Sequence, residues 1–452
     1  MPLSEDNGKS RPDAELRSAS AAATTESAID TDAPGQSPRR RRPGLVALFP
    51  RVEGQAFQSW RLTGPTSLGR DAGSTVRVRD GRVSRHHATV EPRGHGLFVR
   101  DLASRHGSFV DGRPIGGEGA TAPPGSVLRF GDTLHLVVDD VERYQTPPRA
   151  IAGAALGLLR SVVAGPVLSE VWDQAARLAG GKEPVLILGE TGSGKECVAR
   201  MVHGGGRAPF VGLNIAAIPS ELFEAELFGH QRGAFTGAVT ARPGAFLEAS
   251  GGVLFLDEIG DLEPASQVKL LRAIDLGQVR PLGATRDVTV SLRIVSATSR
   301  DLEQASVSGQ FRADLWYRLS AQLLRVPPLR ARREDVILLA LQILGELAPC
   351  PRLSADAAQI LLLAAWEGNA RQLRHVLTRA IDAARAERAD EIRPGHLPPL
   401  NPAIPDEGGL TVERIQAALA KSDGVALRAA KLLGVSRATF YNAMTRLGIK
   451  RR

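Results

Sequence analysis

A glycine-rich segment in the middle of the chain has the residue types and spacing that bind phosphate groups. Gly189-Glu-Thr-Gly-Ser-Gly-Lys195 matches the pattern GxxxxGK and directly follows the apolar run Val185–Leu188. In such a loop the backbone N–H groups surround phosphates, the next helix N-terminus adds positive potential, and the lysine reaches the terminal phosphate oxygens. Where a hydroxyl ligand of Mg²⁺ usually follows the lysine, this chain has a glutamate. The segment predicts a nucleotide site made of Gly189, Glu190, Thr191, Gly192, Ser193, Gly194, Lys195 and Glu196.

An acidic pair follows a second apolar run. Residues 253–256 are Val-Leu-Phe-Leu, and Asp257 and Glu258 come next. One carboxylate would hold Mg²⁺, directly or through water, and the other would polarise the attacking water. Alone, such a pair is equally compatible with a solvated turn. Together with the phosphate loop it predicts a nucleoside triphosphatase.

Between these two segments lies a loop with glycine near both ends. Gly233 and Gly237 free the backbone from the usual φ limits, and Phe235 and Thr236 lie at the predicted tip. Taken by itself, the stretch is typical of a hairpin whose phenylalanine enters the core. Beside a nucleotide site, it predicts a mobile loop that hydrolysis moves against a partner.

Changes in composition divide the chain into the elements that must position these residues. Residues 1–43 contain no Phe, Trp or Tyr, so we expect a disordered arm. Short apolar runs alternate with Gly and Asp turns over 44–142, which indicates an all-β sandwich. The remaining segments are expected to be a linker at 143–157, an α/β domain at 158–335, a helical subdomain at 336–398, a second linker at 399–408 and a small helical module at 409–452.

Composition and charge restrict the class of protein. The chain has 452 residues, a net charge of +8 and only two cysteines, so a disulfide framework is excluded and a reduced cytoplasmic compartment is expected. We find no signal peptide and no apolar stretch long enough to span a bilayer, and so expect a soluble protein. From Val425 onward, seven Lys/Arg and no acidic residue occur, which favours contact with a phosphate backbone over a merely solvated tail.

Together these motifs closely resemble those of the sigma-54-dependent transcription activators, also called bacterial enhancer-binding proteins. GETGSGKE resembles the phosphate loop of that family, in which the glutamate is normal, and residues 226–238 resemble the loop that engages the sigma factor. The resemblance implies binding of ATP and Mg²⁺, with Asp257 on the metal, Glu258 on the water and Asn214 restraining Glu258. It also implies sigma-factor contact by Gly233, Ala234, Phe235, Thr236, Gly237 and Ala238.

Three further segments extend the resemblance. Residues 311–319 resemble the segment that presents arginines to a neighbouring subunit's nucleotide, which implies Arg312 and Arg318 as fingers in trans and a homo-oligomeric ring, hexameric by family. Without the family, these arginines would be ordinary surface charges. The lid motif at 366–371 implies Arg371 as a γ-phosphate sensor. The family's Ala-Thr-Asn sensor reads Ala-Thr298-Ser299 here, which keeps the threonine but changes the coupling residue.

The C-terminus resembles the Fis-type helix-turn-helix modules that end this family. Apolar residues at helical spacing precede Gly434, and Ser436 is a predicted N-cap. The second helix, about 437–447, would enter the major groove of enhancer DNA. Its predicted DNA contacts are Arg437, Thr439, Tyr441, Asn442 and Arg446.

The N-terminal sandwich resembles a forkhead-associated (FHA) domain, a reader of phosphothreonine. Gly69-Arg70, Ser84–His87 and 107–112 carry the resemblance, which implies phosphate binding by Arg70 and Ser84. Where the family has Ser/Thr-Asn, this chain has Arg105-His106, so the asparagine that binds the peptide backbone is missing and Arg105 adds a cation. We therefore expect phosphate recognition to be kept better than sequence selectivity. We expect His87 to hold the loop rather than to bind a metal.

The predicted function is therefore an ATP-driven activator that remodels the sigma-54 RNA polymerase holoenzyme, with phosphothreonine as input and DNA as anchor. One alternative is an AAA+ DNA-binding regulator that represses or acts with another sigma factor. Another is a phosphopeptide-binding scaffold with an idle ATPase. The FHA ligand would be a phosphothreonine protein or the chain's own arm, phosphorylated at Thr24, Thr25 or Thr31.

Overall fold

The computed structural model describes residues 42–49, 57–94, 96–347, 351–403, 412–422 and 425–433. Residues 1–41 of the predicted arm lie outside these ranges, as do the predicted DNA contacts Arg437, Thr439, Tyr441, Asn442 and Arg446. The described chain contains a β-sandwich, a parallel α/β domain, a helical lid and two C-terminal helices.

The N-terminal sandwich consists of a six-stranded and a five-stranded sheet. Its strands are β1 (Gly44–Phe49), β2 (Ser59–Arg61), β3 (Thr66–Gly69), β4 (Val76–Arg77), β5 (Ala88–Arg93), β6 (Gly96–Asp101), β7 (Ser108–Val110), β8 (Arg113–Pro114), β9 (Ala120–Ala122), β10 (Val127–Phe130) and β11 (Thr133–Val138). The six-stranded sheet has the order β2-β1-β11-β10-β7-β8, and the other has the order β4-β3-β5-β6-β9. Their inner faces share one apolar core, which includes Leu68, Val99 and Phe130.

The α/β domain is built around a parallel five-stranded sheet, and three short two-stranded pairs accompany it. The strands of the whole domain are β12 (Arg149–Ile151), β13 (Val162–Ala164), β14 (Val185–Leu188), β15 (Phe210–Asn214), β16 (Gly229–His230), β17 (Arg242–Pro243), β18 (Val253–Asp257), β19 (Gln278–Val279), β20 (Val288–Thr289), β21 (Arg293–Thr298) and β22 (Gln322–Arg325). Its helices are α1 (Pro166–Arg177), α2 (Lys195–His203), α3 (Ser220–Phe228), α4 (Ala245–Glu248), α5 (Pro264–Leu276), α6 (Leu302–Val307) and α7 (Ala313–Leu319). The main sheet has the order β15-β18-β21-β14-β22.

Alternation along β14 distributes its side chains between two apolar layers. Val185 and Ile187 pack with α1 and α2, whereas Leu186 faces the layer of α3, α5 and α7. A parallel sheet covered on both faces has continuous apolar strands, which is why β14, β18 and β21 are predictable from sequence. The carboxyl ends of these strands meet at one edge, where the phosphate loop and the acidic pair lie.

The helical lid follows the α/β domain. It contains α8 (Arg333–Glu346), β23 (Arg352–Leu353), α9 (Ala355–Leu363), α10 (Asn369–Ala386) and β24 (Glu391–Ile392), and the C-terminal part contains α11 (Val412–Ala420) and α12 (Ala426–Leu432). Lid helices and the outer face of the six-stranded sheet belong to one apolar cluster, so the sandwich and the lid share a core.

The structure adds elements that the sequence pattern does not indicate. The edge strands β15 and β22 carry exposed and polar residues and therefore lack a continuous apolar run. Strand β12 lies inside the range predicted to be a linker and pairs antiparallel with β13. The connection between the sandwich and the α/β domain is therefore ordered over this stretch.

Candidate functional site

The phosphate loop connects β14 to α2 at the carboxyl edge of the sheet. Gly192 and Gly194 have φ values of +75° and +104°, a backbone conformation that residues with a Cβ rarely adopt. Lys195 is 6% exposed, and its Nζ donates to Gly189 O at 3.0 Å and to Glu258 Oε1 at 3.0 Å. The lysine ammonium group is thus held by a loop carbonyl and pairs directly with the predicted catalytic glutamate.

Glu258 is held from two sides. Besides Lys195, the backbone N–H and the hydroxyl of Ser299 both donate to Glu258 Oε2 at 3.0 Å. Burial by itself would raise the pKa of Glu258, but the hydrogen bonds from Lys195 and Ser299 outweigh it and lower the pKa below its ordinary value. The carboxylate is therefore ionised near neutral pH, as a group that polarises water requires.

Asp257 has the opposite environment. Burial raises the pKa of Asp257, and the adjacent Glu258 carboxylate raises it further, while Lys195 opposes the shift. A nearby cation would relieve this repulsion. The hydroxyl of Ser193 in the phosphate loop is also buried without a hydrogen-bond partner among the described residues. Both groups are hard oxygen donors of the kind that Mg²⁺ prefers.

Two residues predicted at this site are placed differently from Ser299. Thr298 is fully buried, and its hydroxyl accepts a hydrogen bond from Arg300 N at 3.0 Å. Asn214 is exposed and pairs with Asp257 across β15 and β18, and within the described chain its side chain makes no hydrogen bond to Glu258. Besides Lys195, the residue that hydrogen-bonds Glu258 is thus Ser299, the position at which the chain departs from the family sequence.

The lid is hydrogen-bonded to the phosphate loop through residues to which the sequence pattern assigns no role. Asn369 Nδ2 donates to Glu190 Oε2 and to Thr191 O, both at 3.1 Å, and Arg330 makes two hydrogen bonds to Glu190. The predicted sensor Arg371 lies against the loop, since a Cβ on Gly192 would be 3.1 Å from Arg371 Cβ. The lid is therefore in position to respond to nucleotide.

The predicted arginine fingers lie on the surface. Arg312 forms two hydrogen bonds to Asp314, and Arg318 Nε lies 3.1 Å from Asp275 Oδ1. Their side chains are 47% and 50% exposed. In the described part of the chain neither arginine contacts the phosphate loop of its own subunit.

The glycine-bounded loop projects from the short pair β16 and β17. Gly233 N donates to Ala238 O at 2.8 Å, and Ala238 N donates to Phe235 O at 3.0 Å, so the loop is closed at its base. Phe235 is 36% exposed, and its ring makes an edge contact with the ring of His230, with the centroids 5.0 Å apart. Thr236 is exposed beside it. The phenylalanine therefore does not enter the core.

The sandwich brings together three of its predicted phosphopeptide residues. Arg70 N donates to Ser84 O at 2.9 Å, and Arg105 N donates to Ser84 Oγ at 3.1 Å. Both arginines thus adjoin Ser84 through their backbone, and Arg70, Arg105 and His106 are all exposed. This arrangement of cations around a hydroxyl fits a phosphate group.

Buried His87 connects the two loops of this surface. Ser84 N donates to His87 Nδ1 at 3.0 Å, so the proton is on Nε2, which donates to Gly107 O at 3.2 Å. Burial lowers the pKa of His87, which keeps the ring neutral. The side chain holds the loops in register, in keeping with the interpretation made from sequence.

Four family profiles match successive parts of the chain. They are the FHA domain at 66–131, the sigma-54 interaction domain at 162–325, the AAA+ ATPase lid domain at 330–407, and the bacterial regulatory protein, Fis family, at 412–447.

Several transcription regulators are similar to this chain over more than half of its length. The transcriptional regulatory protein GlrR of Escherichia coli K12 is 38% identical over 328 residues, which span 70% of this chain and 73% of GlrR. The chain belongs to the sigma-54-dependent transcription activators. The response regulator protein PilR of Pseudomonas aeruginosa is 46% identical over 259 residues, 55% of this chain and 58% of PilR. NtrX of Brucella abortus, crystallised in complex with ATP, aligns with a TM-score of 0.48 at 31% identity, over 62% of this chain and 68% of NtrX.

As a sigma-54-dependent activator, the protein is an AAA+ ATPase with an FHA domain before the motor and a Fis-type DNA-binding module after it. This confirms the predicted fold class and the predicted enzyme class. Within the described ranges, the helices are all too short or too polar to span a lipid bilayer.

Proposed function

We propose that this activator assembles into a ring, tethered to upstream DNA, and uses ATP hydrolysis to drive its 233–238 loop against sigma-54 holoenzyme. The observation that carries the proposal is that Phe235, an exposed aromatic on a closed loop, belongs to the same domain as the Lys195–Glu258 pair. Remodelling then opens the promoter. The activity belongs to the cytoplasm, where polymerase and promoter DNA meet.

When ATP binds, Lys195 leaves Glu258 for the phosphate oxygens, because both acceptors compete for one buried ammonium group. Glu258 is then free to orient the attacking water. Asp257 and Ser193 would hold Mg²⁺, which neutralises charge on the phosphates. Arg371 and Asn369 on the lid would report the state of the phosphate loop, since both lie against it.

A short mechanical path joins the nucleotide site to the sigma-contact loop. Strand β15 ends at Asn214, next to Asp257, and α3 follows and leads directly into β16 at the base of the loop. Gln231 N also donates to Leu282 O at 2.9 Å, which ties the loop to the β19–β20 connection. Movement of the strand end therefore reaches Phe235 through one helix.

Ring formation completes the ATP site. The side chains of Arg312 and Arg318 are exposed and pair with the surface carboxylates of Asp314 and Asp275, so they are available to a neighbouring subunit. A planar guanidinium stabilises the charge that develops on the transferred phosphoryl group. We propose both as fingers in trans and expect a hexamer.

The FHA surface of Arg70, Ser84 and Arg105 supplies a phosphothreonine input. Its partner is a phosphorylated protein or the chain's own arm. The Fis-type module binds double-stranded enhancer DNA and raises the local concentration of the ring at the promoter.

A reconstituted transcription assay tests the proposal. Purified protein is combined with sigma-54 polymerase and a supercoiled template that carries a genomic fragment bound by the protein. We expect open complexes that need hydrolysable ATP and disappear when sigma-54 is replaced by another sigma factor. Open complexes with the non-hydrolysable analogue, or with another sigma factor, would contradict the proposal.

A further inference from the structure

Strands β1 and β11 of the FHA domain are buried on both faces. Every residue of β11 is buried, and its side chains divide between two cores. Val137 belongs to the sandwich core, whereas Leu134, Leu136 and Val138 belong to the cluster that contains the lid. An antiparallel sheet with one solvated face alternates apolar and polar residues. The sequence Leu-His-Leu-Val-Val lacks that alternation, as a covered face requires.

The covering elements are the lid helices α8 and α9. Val336, Ile337 and Ala340 of α8 and Ala358 and Leu361 of α9 are all fully buried in the shared cluster. Trp366, in the lid motif, is 1% exposed in the same cluster. The FHA domain is thus packed on the subdomain that grips the phosphate loop.

Polar contacts fix the register of this interface. Arg129 on β10 donates to Gln359 Oε1 at 2.9 Å and to the Asp356 carboxylate, both on α9. On α8, Arg333 Nη1 donates to Gly125 O at 2.6 Å and lies 3.5 Å from Asp111 Oδ1. Arg333 is 7% exposed, so these contacts are made in a largely desolvated environment, where hydrogen bonds are electrostatically stronger than at the surface.

The neighbour of Arg333 contacts the nucleotide site. Arg332 is 2% exposed and donates through Nη2 to Ser193 O in the phosphate loop at 2.6 Å. Its Nη1 donates to Asp335 Oδ2 at 2.8 Å, which fixes the guanidinium within the first turn of α8. Adjacent arginines therefore connect the FHA domain and the phosphate loop to the same helical turn.

The FHA end of this connection begins at the phosphopeptide surface. Gly107, which accepts the hydrogen bond from His87, immediately precedes β7, and Asp111 immediately follows that three-residue strand. Asp111 is itself held by Val127 N at 2.8 Å and Ser126 Oγ at 3.0 Å. One short strand therefore links the Gly107 loop to Asp111 and, through Asp111, to Arg333.

We propose that the FHA domain is a fixed part of the motor, docked on the lid, and that Arg333 and Arg332 couple phosphopeptide binding to nucleotide binding. The ligand half of this inference rests on the proposed phosphothreonine function, whereas the docking half does not. Coupling of this kind is reciprocal, so ATP must change phosphopeptide affinity by the same factor as phosphopeptide changes ATP affinity.

A charge exchange across the interface tests docking without any ligand. In the full-length protein, Arg129→Glu and Asp356→Arg are each expected to raise amide hydrogen exchange in β10 and α9 severalfold, because like charges then face each other. The double variant restores the attraction and the protection. If the single variants exchange like the wild type, the two domains are not docked and the proposal is wrong.

The coupling is tested by titration of full-length protein with a fluorescent ATP analogue. The probe is a synthetic peptide of residues 21–36 phosphorylated at Thr24, Thr25 and Thr31, present or absent. We expect the peptide to change ATP affinity at least threefold in the wild type, and Arg333→Ala to reduce that factor to one while each ligand still binds. Arg374→Ala removes a lid arginine paired with Glu346 instead and serves as the matched control.

The outcomes separate the two claims. A peptide that binds without changing ATP affinity overturns the coupling and leaves the phosphothreonine function intact. A peptide that fails to bind overturns both the coupling and the proposed arm ligand, while docking is still decided by the charge exchange. Equal loss of coupling in the Arg374→Ala control would also contradict the assigned path.

Discussion

Lys195 and Glu258 form a direct ion pair, with Nζ 3.0 Å from Oε1, although each is proposed to act on a different part of bound ATP. The pair is largely shielded from solvent, since the two side chains are 6% and 15% exposed. The lysine proposed to bind phosphate and the glutamate proposed to activate water are therefore paired directly with each other. Binding of the triphosphate must separate them, which links substrate binding to the release of the catalytic base.

Replacing Glu258 by Gln should preserve ATP binding and abolish turnover. The amide keeps the shape of the side chain but cannot polarise the attacking water, and general-base catalysis typically contributes about 10²–10⁴-fold. We expect normal affinity for an ATP analogue, a loss of turnover of at least about 10²-fold and no open complexes. Turnover at the wild-type level would remove Glu258 from the proposed mechanism.

Ser299 should restrain Glu258, the role that the family resemblance implies for Asn214. Ser299→Ala removes one of two hydrogen bonds to Oε2, and a hydrogen bond to a charged group contributes about 1.5–3 kcal/mol. We expect basal ATP turnover to rise severalfold, and the acidic limb of its pH profile to move to higher pH because the pKa of Glu258 is less depressed. Ser299→Thr keeps the hydroxyl and is the control; the same change in both variants would argue against the hydrogen bond as the cause.

The arginine fingers should act between subunits. Arg312→Ala alone and Glu258→Gln alone should each lack ATPase activity. Mixed rings, in contrast, contain interfaces where an intact Glu258 meets an intact Arg312 from the other variant. We expect turnover to reappear on mixing, at a protein concentration that allows subunit exchange. Failure of any mixture to hydrolyse ATP, with ring formation verified by light scattering, would place Arg312 outside the shared site.

His135 should make the FHA domain sensitive to acid. Burial lowers the pKa of this strand β11 histidine to about 4, against an ordinary value of 6.5. Because the pKa of His135 is lower in the folded state, the unfolded state binds the proton first as the pH falls below 6.5. The fold therefore has its full stabilisation above pH 6.5 and loses that stabilisation as the pH falls towards 4. Its full size is about 3 kcal/mol. The melting temperature of the full-length protein should therefore fall more steeply between pH 6.5 and 4 than that of His135→Leu. Parallel curves would contradict the shift.

The sequence predicts the fold well for strands that are buried on both faces within a single domain. The apolar runs of β14, β18 and β21 are followed directly by the phosphate loop, the acidic pair and the sensor, so both strands and site follow from pattern and order. The packing of the FHA domain against the lid is harder to predict from the sequence. The unbroken apolar character of β11 indicates a covered face, but only the folded chain shows that α8 and α9 cover it.

Individual contacts in the site depend on geometry that spacing does not encode. Thr298 ends strand β21 and Ser299 follows it, and their hydroxyls have different partners: that of Thr298 accepts from Arg300 N, whereas that of Ser299 donates to Glu258. The lid residues Asn369 and Arg330 are distant in sequence from Glu190, and their types alone are typical of a solvated surface. Their roles come from the closure of the lid on the loop.

The central claim is that ATP hydrolysis acts on sigma-54 through Phe235. The most direct measurement is the number of open complexes formed per ATP hydrolysed by Phe235→Ala, beside Val239→Ala, an apolar residue 74% exposed just outside the loop. We predict unchanged ATPase activity in both variants, with open-complex formation lost only in Phe235→Ala. Wild-type promoter opening by Phe235→Ala would contradict the account.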